Sequence, residues 1–113
     1  MKACPYIEAS FQIIGKKWNG QLIHYLSLCT DNTAHFSDIK RDLTGITSRA
    51  LSLKLTELAE NQLIEKLVGG TSPVTISYQL TEKGKTLADS LKPIQEWAKQ
   101  YMDVNIPIES EEK

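Results

Sequence analysis

The chain has 113 residues, of which 41% are hydrophobic and 24% charged, with a net charge of −1. That size and balance suit one globular domain whose core needs neither disulfides nor a structural metal. No apolar run approaches the roughly 20 residues of a membrane-spanning helix. The start, Met1-Lys2-Ala3-Cys4-Pro5 followed by Glu8, lacks the apolar stretch of a signal peptide, so a cytoplasmic protein with no membrane partner is expected.

Apolar periodicity lays out a series of short elements. Pro5 suits the first position of a helix, where its missing N–H costs nothing. Ile7, Phe11 and Ile14 follow at i, i+4 and i+7, and Gly15 is a natural stop. A second helix carries Trp18, Leu22, Tyr25, Leu26 and Cys29 on one face, and the polar run Thr30-Asp31-Asn32-Thr33 breaks it. A very short extended piece, Ala34-His35-Phe36, leads to Ser37, a good N-cap for a helix from Asp38 to Leu43 with Ile39 and Leu43 facing inward. Thr44-Gly45-Ile46 makes a tight turn. Thr47 then caps a helix in which Leu51, Leu55 and Leu58 recur at i, i+4 and i+7, ending near Asn61.

The period now changes. Leu63 to Val68 reads as a strand and Gly69-Gly70-Thr71-Ser72-Pro73 as a turn. Val74 to Leu80 reads as a second strand, with Val74, Ile76, Tyr78 and Leu80 alternating with Thr75, Ser77 and Gln79. Thr81 caps a last helix with Leu87, Leu91, Ile94, Trp97 and Tyr101 along one stripe, and Pro93 inside it is expected to kink or divide it. The acidic end, Ile108 to Lys113, is expected to fray.

A short helix, a glycine turn and a second amphipathic helix form a helix-turn-helix, and a hairpin directly after it is a wing. The fold class is therefore mainly α with a small β hairpin: a single winged helix-turn-helix domain over residues 1–113. Charge agrees with a DNA partner. Residues 1–54 hold seven Lys/Arg against four Asp/Glu, while the remainder holds six against ten, so one half can track phosphates although the whole is nearly neutral. With Leu55 at the centre of the buried face, Arg49, Ala50, Leu53 and Glu57 point most nearly away from the core, and Ser52 and Lys54 flank them. Base contacts usually come from the N-terminal half of the recognition helix. Ser48, Arg49, Ser52 and Leu53 are the candidates there, Arg49 for a guanine edge and Leu53 for a thymine methyl. Lys40, Arg41 and Lys54 are candidates for phosphate, and Ser37, Thr47, Thr71 and Ser72 complete the DNA-contacting set. Each of these also has a plain reading as solvated surface.

The segments Cys4-Pro5, Ile14-Gly15-Lys16-Lys17-Trp18, His35-Phe36-Ser37-Asp38-Ile39 and Gly45-Ile46-Thr47-Ser48-Arg49-Ala50-Leu51 resemble the HxlR-type branch of the MarR-like regulators. So do Leu55-Thr56-Glu57-Leu58, Tyr78-Gln79-Leu80-Thr81-Glu82-Lys83-Gly84 and Trp97-Ala98. The resemblance spans about residues 4–101. It implies a homodimeric transcriptional repressor with the first and last helices at the dimer interface, reading a pseudo-palindromic operator of double-stranded DNA. The stripe ending in Trp97 and Tyr101 fits such an interface independently, being longer than one small core needs. The wing tip, Gly69 to Pro73, departs from the family in carrying no Lys or Arg, so a small electrostatic share is expected of it.

Cys4 sits before Pro5 at the expected start of the first helix, where the helix dipole favours a thiolate. Part of the resembling family senses quinones and other thiol-reactive compounds at this Cys-Pro position, and the N-terminal half is most similar to that subset. Cys4 is therefore the candidate electrophile and redox sensor, with packing as its other reading. Cys29 shares an apolar face near a helix end and reads as core, with a role as second thiol or as a disulfide partner of Cys4 left open. Convergence of Cys4, His24, Cys29 and His35 on a metal is the alternative for a metal- or small-ligand-responsive regulator, although their spacing matches no standard site. No cofactor and no catalytic residue are expected: Cys29 and His24, five apart, point along different helical directions.

Overall fold

The structure is a computed structural model that describes residues 2–105; the acidic end from Ile108 lies outside them. Its elements run α1 (Pro5–Ile14), α2 (Asn19–Leu28), a 3-10 turn (Thr30–Asn32), β1 (Thr33–His35), α3 (Phe36–Asp42), α4 (Ser48–Glu60), β2 (Ile64–Gly69), β3 (Thr75–Leu80) and α5 (Glu82–Tyr101). No helix among the described residues is long and apolar enough to cross a membrane.

The core is one cluster. Leu22, Ile23 and Leu26 of α2 meet Ile39 of α3 and Leu51, Leu55 and Leu58 of α4, all fully buried. Leu63, Ile64, Tyr78 and Leu80 close it from the sheet side. The sheet has three strands in the order β1-β3-β2, all antiparallel, with Ala34 opposite Tyr78 and Ile64 opposite Leu80. The expected hairpin is therefore present, and the short extended piece adds a third strand along β3. Near the core Tyr78 and Leu80 turn inward, whereas Val74 and Ile76 are exposed. The outer half of the hairpin thus stands away from the domain, as a wing does.

Four local expectations need correction. Trp18 does not belong to α2: it precedes the helix in the left-handed region (φ 78°), turning the chain so that its ring packs on the core. Ser37 does not cap α3. The helix starts two residues earlier than expected, at Phe36, after His35, whose side chain makes no capping bond, because the pairing of β1 with β3 ends at His35. The second strand starts at Thr75 rather than Val74. Pro93 does not divide α5, which runs unbroken from Glu82 to Tyr101. Pro93 is exposed, so the one carbonyl it leaves without a backbone donor can be hydrated.

Thr47 and Thr81 behave as expected. Thr47 Oγ1 accepts the Ala50 N–H at 3.0 Å and Thr81 Oγ1 accepts that of Gly84 at 3.1 Å. The bend between α3 and α4 relies on Gly45, whose φ of 95° lies where a side chain is strained.

Candidate nucleic-acid interface

Helix α4 presents its N-terminal half to solvent because three leucines hold its other side in the core. Ser48, Arg49, Ser52 and Leu53 are all exposed, Leu53 by 62%. An apolar side chain that open, beside Arg49, suits contact with a base methyl rather than packing. Arg49 has no acidic partner among the described residues, so its five donors are free. Ala50 and Glu57 do not point away from the core as the helical wheel suggested. Ala50 packs against the core cluster and Glu57 is half-buried, because the buried stripe is centred toward Leu51 and Leu58 rather than on Leu55. The open face is consequently Arg49, Ser52, Leu53 and Thr56.

The flank toward α3 is less simply basic than its sequence. The Arg41 guanidinium bonds both oxygens of Asp42, at 2.9 and 3.2 Å, and reaches Asp38 at 3.3 Å. Tyr25 donates its hydroxyl to Asp42 Oδ2 at 2.7 Å. The Arg41 bond, followed by that of Tyr25, holds the Asp42 carboxyl below the ordinary carboxylate range. A phosphate taking Arg41 must compete with two acids, whereas Lys40 has no such partner among the described residues. Ser37 is exposed in the first turn of α3, beside Val74 and Ile76 of the hairpin.

On the wing side Ser52 and Thr56 share a cleft with Lys66 of β2. Nothing in the sequence marks Lys66, because a lone lysine in a strand reads as ordinary surface. Strand register brings it opposite Tyr78 and beside α4, so the wing's cation lies on its shaft. Thr71 and Ser72 are exposed at the tip.

On the remaining side of α4 lies the turn joining α1 to α2. Lys16 Nζ reaches Glu57 Oε2 at 3.2 Å, and Lys54 reaches Glu57 Oε1 at 3.8 Å. Partial burial raises the Glu57 carboxyl, but the Lys16 hydrogen bond, Asn19 and the charges of Lys54 and Lys16 together hold it below its usual range. Asn19, 1% exposed, donates from Nδ2 to the Ile13 carbonyl at 2.9 Å and ties α1 to α2. Lys54, expected as a free phosphate contact, is thus shared with an acid. Neither Asn19 nor Glu57 was legible beforehand: a polar residue at a helix start and an acid on a helix read as surface until the fold brings three elements together.

The two cysteines are free and differ in setting. Cys4 is exposed at the N-cap of α1, where its side chain makes no capping bond. Cys29 is half-buried, donates from Sγ to the Tyr25 carbonyl at 3.3 Å, and has its thiol pKa raised by burial, less an opposing bond from Tyr25. Among the described residues no three His, Cys, Asp or Glu side chains gather where they would hold a metal, so Cys4, His24, Cys29 and His35 do not converge. An open groove of about 570 Å³ between α2 and α5 includes His24, Asp89 and Glu96. Asp89 and Glu96 are paired along α5 with Lys92 and Lys99.

The HxlR-like helix-turn-helix family matches residues 13–106. The HTH-type transcriptional regulator YodB of Bacillus subtilis (strain 168) is 36% identical over 110 residues, 97% of this chain and 96% of its own. Its reduced form superposes with a TM-score of 0.76, covering 93% of this chain and all of that one at 34% identity. YodB is also solved diamide-treated and quinone-bound, with TM-scores of 0.71 and 0.72. The redox regulator HypR in its oxidised form superposes with a TM-score of 0.77 at 33% identity, covering 89% of this chain and all of that one.

Proposed function

The chain belongs to the HxlR-like helix-turn-helix family, a transcriptional regulator by that membership, and from this we propose that it is a homodimeric cytoplasmic repressor released from DNA when Cys4 is modified. The observation that carries the DNA-binding reading is the open face of α4. A capped helix set in a helix-turn-helix presents an unpaired arginine between small polar residues and an exposed leucine. In a major groove about 12 Å wide such a helix reads base edges, with Arg49 bidentate to guanine. Lys40 and Lys66 serve phosphates; Lys54, shared with Glu57, takes a lesser share, as do Arg41, Ser37, Thr47, Thr71 and Ser72.

Dimerisation is supported by apolar surface that one core leaves uncovered. Tyr6, Ile7 and Phe11 of α1 and Ile94, Trp97 and Tyr101 of α5 are each at least half exposed, and no residue of α1 is buried. Two helices of this kind suit a self-complementary two-fold interface. The half-sites would then lie about one helical turn, ~34 Å, apart in a pseudo-palindromic operator.

The thiol switch is supported by the exposure of Cys4 at the start of that uncovered helix, and by relatives solved in quinone-bound and oxidised forms. Attack of the Cys4 sulfur on a quinone ring carbon makes an S–C bond; the thiol proton goes to one quinone oxygen and the hydrogen of the attacked carbon moves to the other, giving the hydroquinone adduct. A bulky adduct at the root of α1 shifts the dimer contact and with it the spacing of the two α4 helices. The test of the DNA-reading claim is anisotropy of a labelled duplex from upstream of the protein's own gene. Arg49→Gln should weaken specific binding by about 1–3 kcal/mol. Equal binding by wild type and variant would overturn it.

A further inference from the structure

The turn between α1 and α2 is built against the helix-turn-helix at two points and is tied to α1 at a third. The Trp18 ring lies over the α3–α4 bend, where a β-carbon placed on Gly45 would sit 3.8 Å from its edge. Lys16 is bonded to Glu57 on α4, and Asn19 locks the turn to the end of α1. Between these anchors stands Lys17. It is exposed, has no acidic partner among the described residues, and holds its ammonium over the Trp18 ring, 5.7 Å from the centroid. An ammonium on an aromatic face keeps its remaining hydration side open, and a four-carbon stem lets the head move without disturbing the anchor.

The position has a consequence for DNA. Helix α4 is bordered on one side by the wing shaft with Lys66 and on the other by this turn. A helix seated in the major groove has a phosphate strand along each side. The wing side has Lys66 but an uncharged tip. The opposite side has Lys16 and Lys54, both engaged with Glu57, and the unengaged Lys17.

The geometry points to the α1–α2 turn as a second phosphate-binding flank of the recognition helix, with Lys17 as its contacting residue and duplex DNA backbone as its ligand. This inference rests on the DNA-binding reading and extends the footprint beyond the helix-turn-helix and wing. It also places a DNA contact at the end of the very helix that begins with Cys4.

The test is the salt dependence of binding to the same labelled promoter duplex, between about 50 and 200 mM salt. Each lost phosphate contact lowers the slope of log K against log salt by about 0.9, so Lys17→Gln should flatten it by about 1.8 in a dimer. Over that fourfold salt range the variant then loses roughly tenfold less affinity than wild type. Lys17→Arg should keep the wild-type slope, and the melting temperature of Lys17→Gln should match wild type, which a structural role would not allow. A slope unchanged in Lys17→Gln overturns the inference while the DNA-binding reading stands. Failure of folded wild type to bind DNA overturns both.

Discussion

Replacing Thr47 by Ala separates a residue's work as a helix cap from any contact it makes with DNA. Thr47 Oγ1 accepts the Ala50 N–H at 3.0 Å, one of the unpaired donors in the first turn of α4. Loss of such a cap costs about 1 kcal/mol, within a range of roughly 0.5–2. For a domain of this size, that amount lowers the melting temperature by about 4 °C. The same turn carries Ser48 and Arg49, so fraying reduces the fraction of molecules competent to read DNA. The affinity loss from fraying cannot exceed the cap's own free energy, about fivefold for 1 kcal/mol. Thermal unfolding in the absence of DNA, with Thr47→Ser and Ser37→Ala alongside, isolates the cap. Thr47→Ser should retain stability because its oxygen remains. Ser37→Ala should melt near wild type, since Ser37 lies inside α3 and caps nothing. A Thr47→Ala protein melting with wild type, or a Thr47→Ser protein falling as far as Thr47→Ala, would refute the reasoning.

Three other perturbations test separate parts of the structure. Gly84→Ala drives a β-carbon into the Leu63 carbonyl at the root of α5 and should cost about 1–3 kcal/mol, whereas Gly20→Ala meets open space in α2 and should gain up to about 1 kcal/mol; matched denaturant titrations compare them. The Glu57 carboxyl lies below its usual range, so its stabilising share is full above the unfolded pKa of about 4.3 and fades as pH falls through the lower folded value. Glu57→Gln should therefore show a shallower loss of melting temperature on acidification below that point, and parallel curves would contradict the ion pairing. Ile94→Glu places a charge on the exposed stripe of α5 and should shift the protein to monomer in sedimentation, with unchanged helix content by circular dichroism.

Most of the fold was legible because period and punctuation agreed. The Leu51, Leu55 and Leu58 spacing, the turn at Gly45 and the caps at Thr47 and Thr81 each pointed to the element that forms. The start of α3 was misplaced because Ser37 is a strong capping residue by type. Strand pairing of Thr33–His35 with β3 decides where the helix begins, and that is a long-range fact. Pro93 misled for the opposite reason: a local rule about helix interiors gives way where a long helix meets solvent. The reading face of α4 was largely visible, since helical geometry alone exposes Arg49, Ser52 and Leu53. Its surroundings were not. Pairing of Arg41 with Asp42, of Lys16 and Lys54 with Glu57, and the placing of Lys66 beside Thr56 all depend on elements distant in the chain. Charge counting treats such lysines and arginines as equal, and the fold sorts them into engaged and free.

The proposed switch joins the exposed thiol at the start of α1 to the open face of α4. Its most direct measurement is anisotropy of the promoter duplex before and after addition of benzoquinone, for wild type and Cys4→Ser in parallel. Wild type should release DNA and Cys4→Ser should retain it. Release of both, or of neither, would contradict the switch.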